Sequence, residues 1–150
     1  MRLFFGIICC FICTVFGIVL SEKYVKRCKF FKDFLCFNKR LISEVSFGQK
    51  RLSEIIEDFS PDGDFKTSIS KFSSDIVLPE YLKADEKALF ADYVNGVGKK
   101  DKETQLKELN ELNVKLSGLS DLSEIELKKY RPLYIKLGFL TGIAILIMVI

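Results

Sequence analysis

Chemistry in this chain has to be sought among cysteines, carboxylates and lysines, because it holds no histidine. That removes the most frequent general base and the most frequent metal ligand. The five cysteines are Cys9, Cys10, Cys13, Cys28 and Cys36. Three fall in an apolar run, where a thiol packs as a small apolar group. Cys28 and Cys36 stand eight residues apart with no second pair. That is not zinc-ligand spacing, and no imidazole is present to activate either thiol as a nucleophile. All five are expected to be reduced. The stretch from Gly96 to Glu103, GVGKKDKE, is rich in glycine and lysine. It lacks phosphate-loop spacing and follows no strand, so it reads as a turn between helices. Carboxylates are plentiful but fall on expected solvent faces, and no catalytic pair stands out. No catalytic residue, cofactor or metal is expected.

What remains is a corner suited to contact rather than bond-making. Asn95-Gly96-Val97-Gly98 breaks one helical pattern, and Asp101 is placed to cap the next helix. Asp101 and Gln105 lie one turn apart and share a face. Two readings stand. In one, Asp101 only caps and Gln105 packs nearby. In the other, this corner, with Lys99 and Lys102, also contacts a partner.

The elements around the corner are helical by their spacing. From Ser21 to about Phe47, Val25, Cys28, Phe31, Leu35, Ile42 and Val45 recur mainly at three, four or seven, one stripe of a helix. Phe30, Phe34 and Phe37 widen it, so it needs a substantial cover. Gly48 is placed as its C-cap. Helices are also expected at Arg51 to Phe59, Phe65 to Phe72 and Glu80 to Val94. Ser60 to Asp64 is a turn by composition, and Ser73 to Pro79 is a loop. From Asp101 onward, Leu106, Leu109, Leu112, Leu116, Leu119, Leu122 and Ile125 have the spacing of a coiled-coil seam, with a kink allowed at Gly118. No repeat or strand-like alternation is present.

Both ends are apolar. Leu3 to Leu20 is eighteen residues without a charge, which as a helix covers roughly 27 Å, close to a hydrocarbon core of about 30 Å. A cleaved signal peptide is the competing reading. It is opposed by the lack of a small-x-small site before Ser21 and by the seven basic residues that follow. Leu133 to Ile150 is interrupted only by Lys136, which can snorkel to the headgroups. Pro132 suits the first turn of a helix, and Tyr130 and Tyr134 suit an interfacial belt.

The net charge of +3 hides a pattern. Residues 21–40 hold seven basic and two acidic side chains, and residues 128–136 hold four basic and none acidic. Residues 41–127 hold 11 basic and 18 acidic. An acidic body thus lies between two basic collars. Collars beside apolar segments are explained by membrane topology and anionic lipid better than by nucleic acid, which is not expected as a partner. Each collar places the middle of the chain in the cytoplasm and both termini outside. The expected organisation is a transmembrane helix at 1–20, a cytoplasmic helical domain at 21–132 and a transmembrane helix at 133–150. The fold class is all-α, a helical bundle flanked by membrane helices.

Two stretches carry a resemblance. Residues 41–56, LISEVSFGQKRLSEII, and 89–106, LFADYVNGVGKKDKETQL, resemble the stage III sporulation protein AB family of endospore formers. The family shows a Glu four residues before a Gly, matched by Glu44 and Gly48. It shows a helix ending in Gly, then Asp, then Gln four residues on, matched by Gly98, Asp101 and Gln105. The final helix running into the apolar tail KLGFLTGIAILIMVI also fits. The stretch from Phe59 to Leu89 is shorter than usual for that family and has no tryptophan.

The resemblance implies a helical domain similar to the cytoplasmic domains of the type II secretion inner-membrane platform protein. It implies a place in the mother-cell membrane around the forespore, within the channel complex joining the two cells. It also implies a secretion-type ATPase and other channel subunits as partners. The leading reading is therefore a non-enzymatic, membrane-anchored platform, with Glu44, Gly48, Gly98, Lys99, Asp101, Lys102 and Gln105 as candidate partner-binding residues. The alternatives are a membrane-anchored regulator or enzyme of unknown chemistry, and a homo-oligomeric scaffold assembled through the last helix.

Overall fold

The structure is a computed structural model, and it describes residues 2–48, 51–59, 63–70 and 78–149, with the side chains of 2–6 and 149 left aside. Among the described residues there is no strand, and five helices follow one another: α1 (Arg2–Phe47), α2 (Leu52–Glu57), α3 (Asp64–Ser70), α4 (Ala84–Gly96) and α5 (Lys102–Val149). The all-α expectation holds. Two units form: Met1–Lys26 with Leu122–Ile150, and Arg27–Asp121. The long helices α1 and α5 each contribute to both.

The central unit, Arg27–Asp121, is built on the phenylalanines that widen the α1 stripe. Phe30, Phe31, Phe34 and Phe37 are all buried. Their cover is aromatic. Phe65 of α3 has ring centroids of Phe30, Phe34, Phe37, Phe59 and Phe90 within 5.3–5.9 Å. Most of these pairs are edge-to-face or tilted, and each such pair adds about 0.5–1.5 kcal/mol to its area burial. Tyr93 of α4 meets Phe34 edge-on at 4.9 Å. From α5, Leu109 and Leu116 are buried, and the Asn38 side-chain amide donates to the Leu109 carbonyl at 3.0 Å. The expected leucine seam therefore serves the core over Leu109 to Leu119, with Leu112 and Leu119 half-buried against it.

Several boundaries move for local reasons. Helix α2 is shorter than expected, because Arg51 is extended and the turn closes at Asp58, whose N–H donates to the Glu54 carbonyl while the Phe59 N–H donates to that of Ile56. The start of α4 shifts from Glu80 to Ala84. The Glu86 carboxylate reaches back to accept the Lys83 backbone N–H at 3.0 Å, which satisfies one orphan donor of the first turn. Its end shifts from Val94 to Gly96, and the break comes at Gly98, whose φ of +81° suits a residue without Cβ. Helix α5 continues through Gly118 and carries Pro132 in its interior, so Pro132 is not the first turn of a separate membrane helix. Its ring there costs one i→i−4 hydrogen bond. The expected turn at residues 60–62, and the parts of the expected Phe65 to Phe72 helix and of the expected loop that fall at residues 71–77, lie outside the described residues.

In the terminal unit the α1 and α5 segments pack antiparallel through small residues. A Cβ at Gly138 would stand 2.7 Å from the Cys13 carbonyl oxygen, and one at Gly17 would stand 2.7 Å from the Tyr134 carbonyl oxygen. A Cβ at Gly142 would be 2.8 Å from Cys10 Sγ. Backbones approach this closely only where side chains are absent. The outward faces are apolar: Phe11 is 72% exposed and Leu140 60%. The apolar windows of the two helices are only 11% and 6% buried, unlike a core helix, and both are long enough to cross a membrane. All five cysteines are free thiols. Cys28 and Cys36 lie about 12 Å apart along one helix, beyond disulfide reach.

Candidate docking corner

Glu44 and Gly48 sit where α1 ends. The Gly48 N–H donates to the Glu44 carbonyl at 2.8 Å, closing the last turn. The Glu44 side chain folds over Gly48, so its carboxylate occupies the place a Cβ at 48 would take, and the Glu44 carbonyl oxygen would be 2.9 Å away. The Glu-x-x-x-Gly spacing thus has a local meaning: a side chain at 48 would displace that carboxylate and crowd the Glu44 carbonyl oxygen.

The turn between α4 and α5 meets the same corner. A depression of about 270 Å³ is lined by Leu41, Glu44, Val45, Gly48, Leu52, Ile55, Val97, Gly98 and Gln105. Four of the seven candidate residues, Glu44, Gly48, Gly98 and Gln105, therefore share one apolar-floored hollow. Lys102 ties the corner together, its ammonium donating to the Ser46 carbonyl at 3.0 Å. Asp101 caps α5, accepting the Thr104 N–H at 3.1 Å. That backbone hydrogen bond holds its carboxyl below the usual carboxylate range. Asp101 and Lys99 are exposed and do not line the hollow. Lys100 forms an ion pair with Glu108.

Gln105 and Val97 also line a second hollow of about 250 Å³, with Asp92, Tyr93, Glu108, Leu109, Glu111 and Lys115 among its walls. Burial pushes the Tyr93 phenol up, so it stays neutral there. Sequence reasoning missed this acidic rim, because its residues come from α4 and α5 at unrelated spacings. The close-packed glycines of the terminal unit were also missed, although Gly138 and Gly142 form a G-x-x-x-G motif within an apolar run. Among the described residues, no group of three or more cysteines or carboxylates could hold a metal ion. A carboxylate, an amide and an apolar floor can bind a side chain, but supply no nucleophile with its base.

A family model described as Stage III sporulation protein AB matches residues 61–150. The chain belongs to the stage III sporulation protein AB family. The match holds Gly98, Lys99, Asp101, Lys102 and Gln105 and the whole of α5, while Glu44 and Gly48 precede it. A sporulation-related role and membrane association follow for this member of the family. No curated protein and no solved structure matches the chain.

Proposed function

We propose that this stage III sporulation protein AB family member is a non-enzymatic platform subunit of a secretion-like channel complex between mother cell and forespore. It is anchored in the mother-cell membrane by both ends, with the central unit in the cytoplasm. The observation that carries this reading is the convergence of Glu44, Gly48, Gly98 and Gln105 on one hollow. A docking surface with an apolar floor and a polar rim suits a protein partner, here a secretion-type ATPase. The basic collars support the orientation.

A second reading, a self-assembling membrane scaffold, draws on Val114 and Ile125 of α5, which are 73% and 62% exposed. One experiment separates the two. The chain is captured from sporulating cells, unaltered and as the Lys102→Glu, Gln105→Ala double variant. The platform reading expects an ATPase and channel subunits with the unaltered chain and their loss with the variant, while membrane insertion and helicity persist. Recovery of only further copies of the chain would favour the scaffold. An undiminished ATPase yield with the variant would show that the corner does not dock it.

A further inference from the structure

Three of the five tyrosines, Tyr24, Tyr130 and Tyr134, gather in the terminal unit. Tyr24 stacks on Tyr130 with centroids 5.2 Å apart and lies 5.8 Å from Tyr134. Two ammonium groups sit by these rings. Lys23 Nζ is 5.2 Å from the Tyr24 centroid and 5.7 Å from that of Tyr134, and Lys129 Nζ is 5.4 Å from that of Tyr130. Ring quadrupoles hold such cations over the aromatic faces instead of leaving them extended into water. A hydrogen bond with Tyr134 pushes the Tyr24 phenol up to about 12, so it remains a neutral donor. Glu126 stands near enough to push it the same way, and Lys128 is paired with Glu124 at 2.8 Å. Lys23 and Lys129 are exposed, and the three rings are half-buried.

Tyr134 has a second neighbourhood. It closes one end of an apolar groove of about 400 Å³, lined also by Ile12, Phe16, Gly17, Leu20 and Gly138. The groove runs roughly 10 Å along α5, from Tyr134 to Thr141. One ring thus joins an apolar slot to a cluster of phenols and ammoniums. An interfacial aromatic belt alone needs rings at the right depth, but no slot beneath them.

We infer that this is a site for an anionic diacyl phospholipid, with an acyl chain in the groove and the phosphodiester held by Lys23, Lys129 and the Tyr134 hydroxyl. The inference rests on the membrane-anchored reading above. A phosphate needs cations and donors, and an acyl chain needs a dry slot; the Lys23 ammonium lies 5.7 Å from the Tyr134 ring that lines the slot. The occupant is a lipid and not a soluble phosphate, because the groove is apolar and continuous with the Tyr134 ring.

The test uses the full chain purified in detergent, with bound lipid counted by native mass spectrometry. The probes are phosphatidylglycerol and phosphatidylcholine of the same acyl chains. Preferential retention of phosphatidylglycerol is expected. Lys23→Gln should lower it about five-fold, the worth of one lysine near a headgroup. Thr141→Phe, which fills the groove from its exposed wall, should lower retention of both lipids. Lys128→Gln makes the same charge change outside the cluster and should leave retention unaltered. Equal retention of the two lipids by the unaltered chain, or equal losses in Lys23→Gln and Lys128→Gln, would overturn the site. Alkaline extraction of membranes distinguishes the failures. A chain released from the bilayer defeats the membrane reading and the site with it; a chain that resists extraction but shows no preference defeats the site alone.

Discussion

The Arg27 guanidinium grips the Glu86 carboxylate with Nε at 3.2 Å from both oxygens and Nη2 at 2.5 Å from Oε1, and both side chains are buried. The guanidinium also stands 5.7 Å from the Phe31 ring centroid. Glu86 has two tasks, since it also accepts the Lys83 N–H that starts α4. This pair fastens α4 to α1 across 59 residues of sequence.

Removing one charge of such a pair strands the other. Glu86→Gln keeps an acceptor for Lys83 but removes the counter-charge, and should cost about 3–5 kcal/mol. Adding Arg27→Met should restore most of that loss, because methionine can pack against Phe31 without a charge to bury. Urea unfolding of the fragment 21–131, followed by circular dichroism, measures both. A double variant no more stable than Glu86→Gln alone would show that the ion pair is not the reason.

The terminal unit should fail at its glycines. A side chain at Gly138 would run into the Cys13 carbonyl at 2.7 Å, so Gly138→Ile should separate the two helices. Separation exposes Cys10 and Cys13, both half-buried in the native pair. The expected readout is faster reaction of these thiols with a membrane-permeant maleimide, with Cys36, already exposed, as the reference. Unaltered labelling rates would mean that the close approach is not required.

Asp101 should give the central unit an acid-sensitive helix start. Its folded carboxyl lies below its ordinary range because it accepts the Thr104 N–H. The contribution is therefore present above the unfolded pKa, near about 3.9, and lost as pH falls through the folded value. Asp101→Asn keeps a cap and removes the titration. Thermal melts of the fragment 21–131 across acid pH should lose part of their slope in the variant. An identical slope would assign the acid sensitivity to other carboxylates.

Orientation can be read at α4. Ala88 is exposed on that helix, and Ala88→Cys in a background without the native thiols gives one accessible label site. An impermeant maleimide should reach it only after permeabilisation. Labelling in intact cells would reverse the topology.

Local physics decided much of this protein before any folding. The end of α1 at Gly48 and the Asp101 cap depend on groups within four residues, so they could be read from spacing. The apolar ends and basic collars follow from composition. The width of the phenylalanine stripe called for a cover but could not say which residues supply it. That Phe65 stands among five other rings depends on loops whose course no periodicity encodes. The start of α4 moved because Glu86 was needed twice, by a neighbouring N–H and by Arg27 far away in the chain. The G-x-x-x-G at Gly138 and Gly142 was visible, but its meaning waited on the facing carbonyl of Cys13 and thiol of Cys10. The hollow uniting Glu44, Gly48, Gly98 and Gln105 is likewise a tertiary product. Spacing reports which residues share a face of one helix, while the face each opposes is set only when distant segments bury their apolar surfaces together.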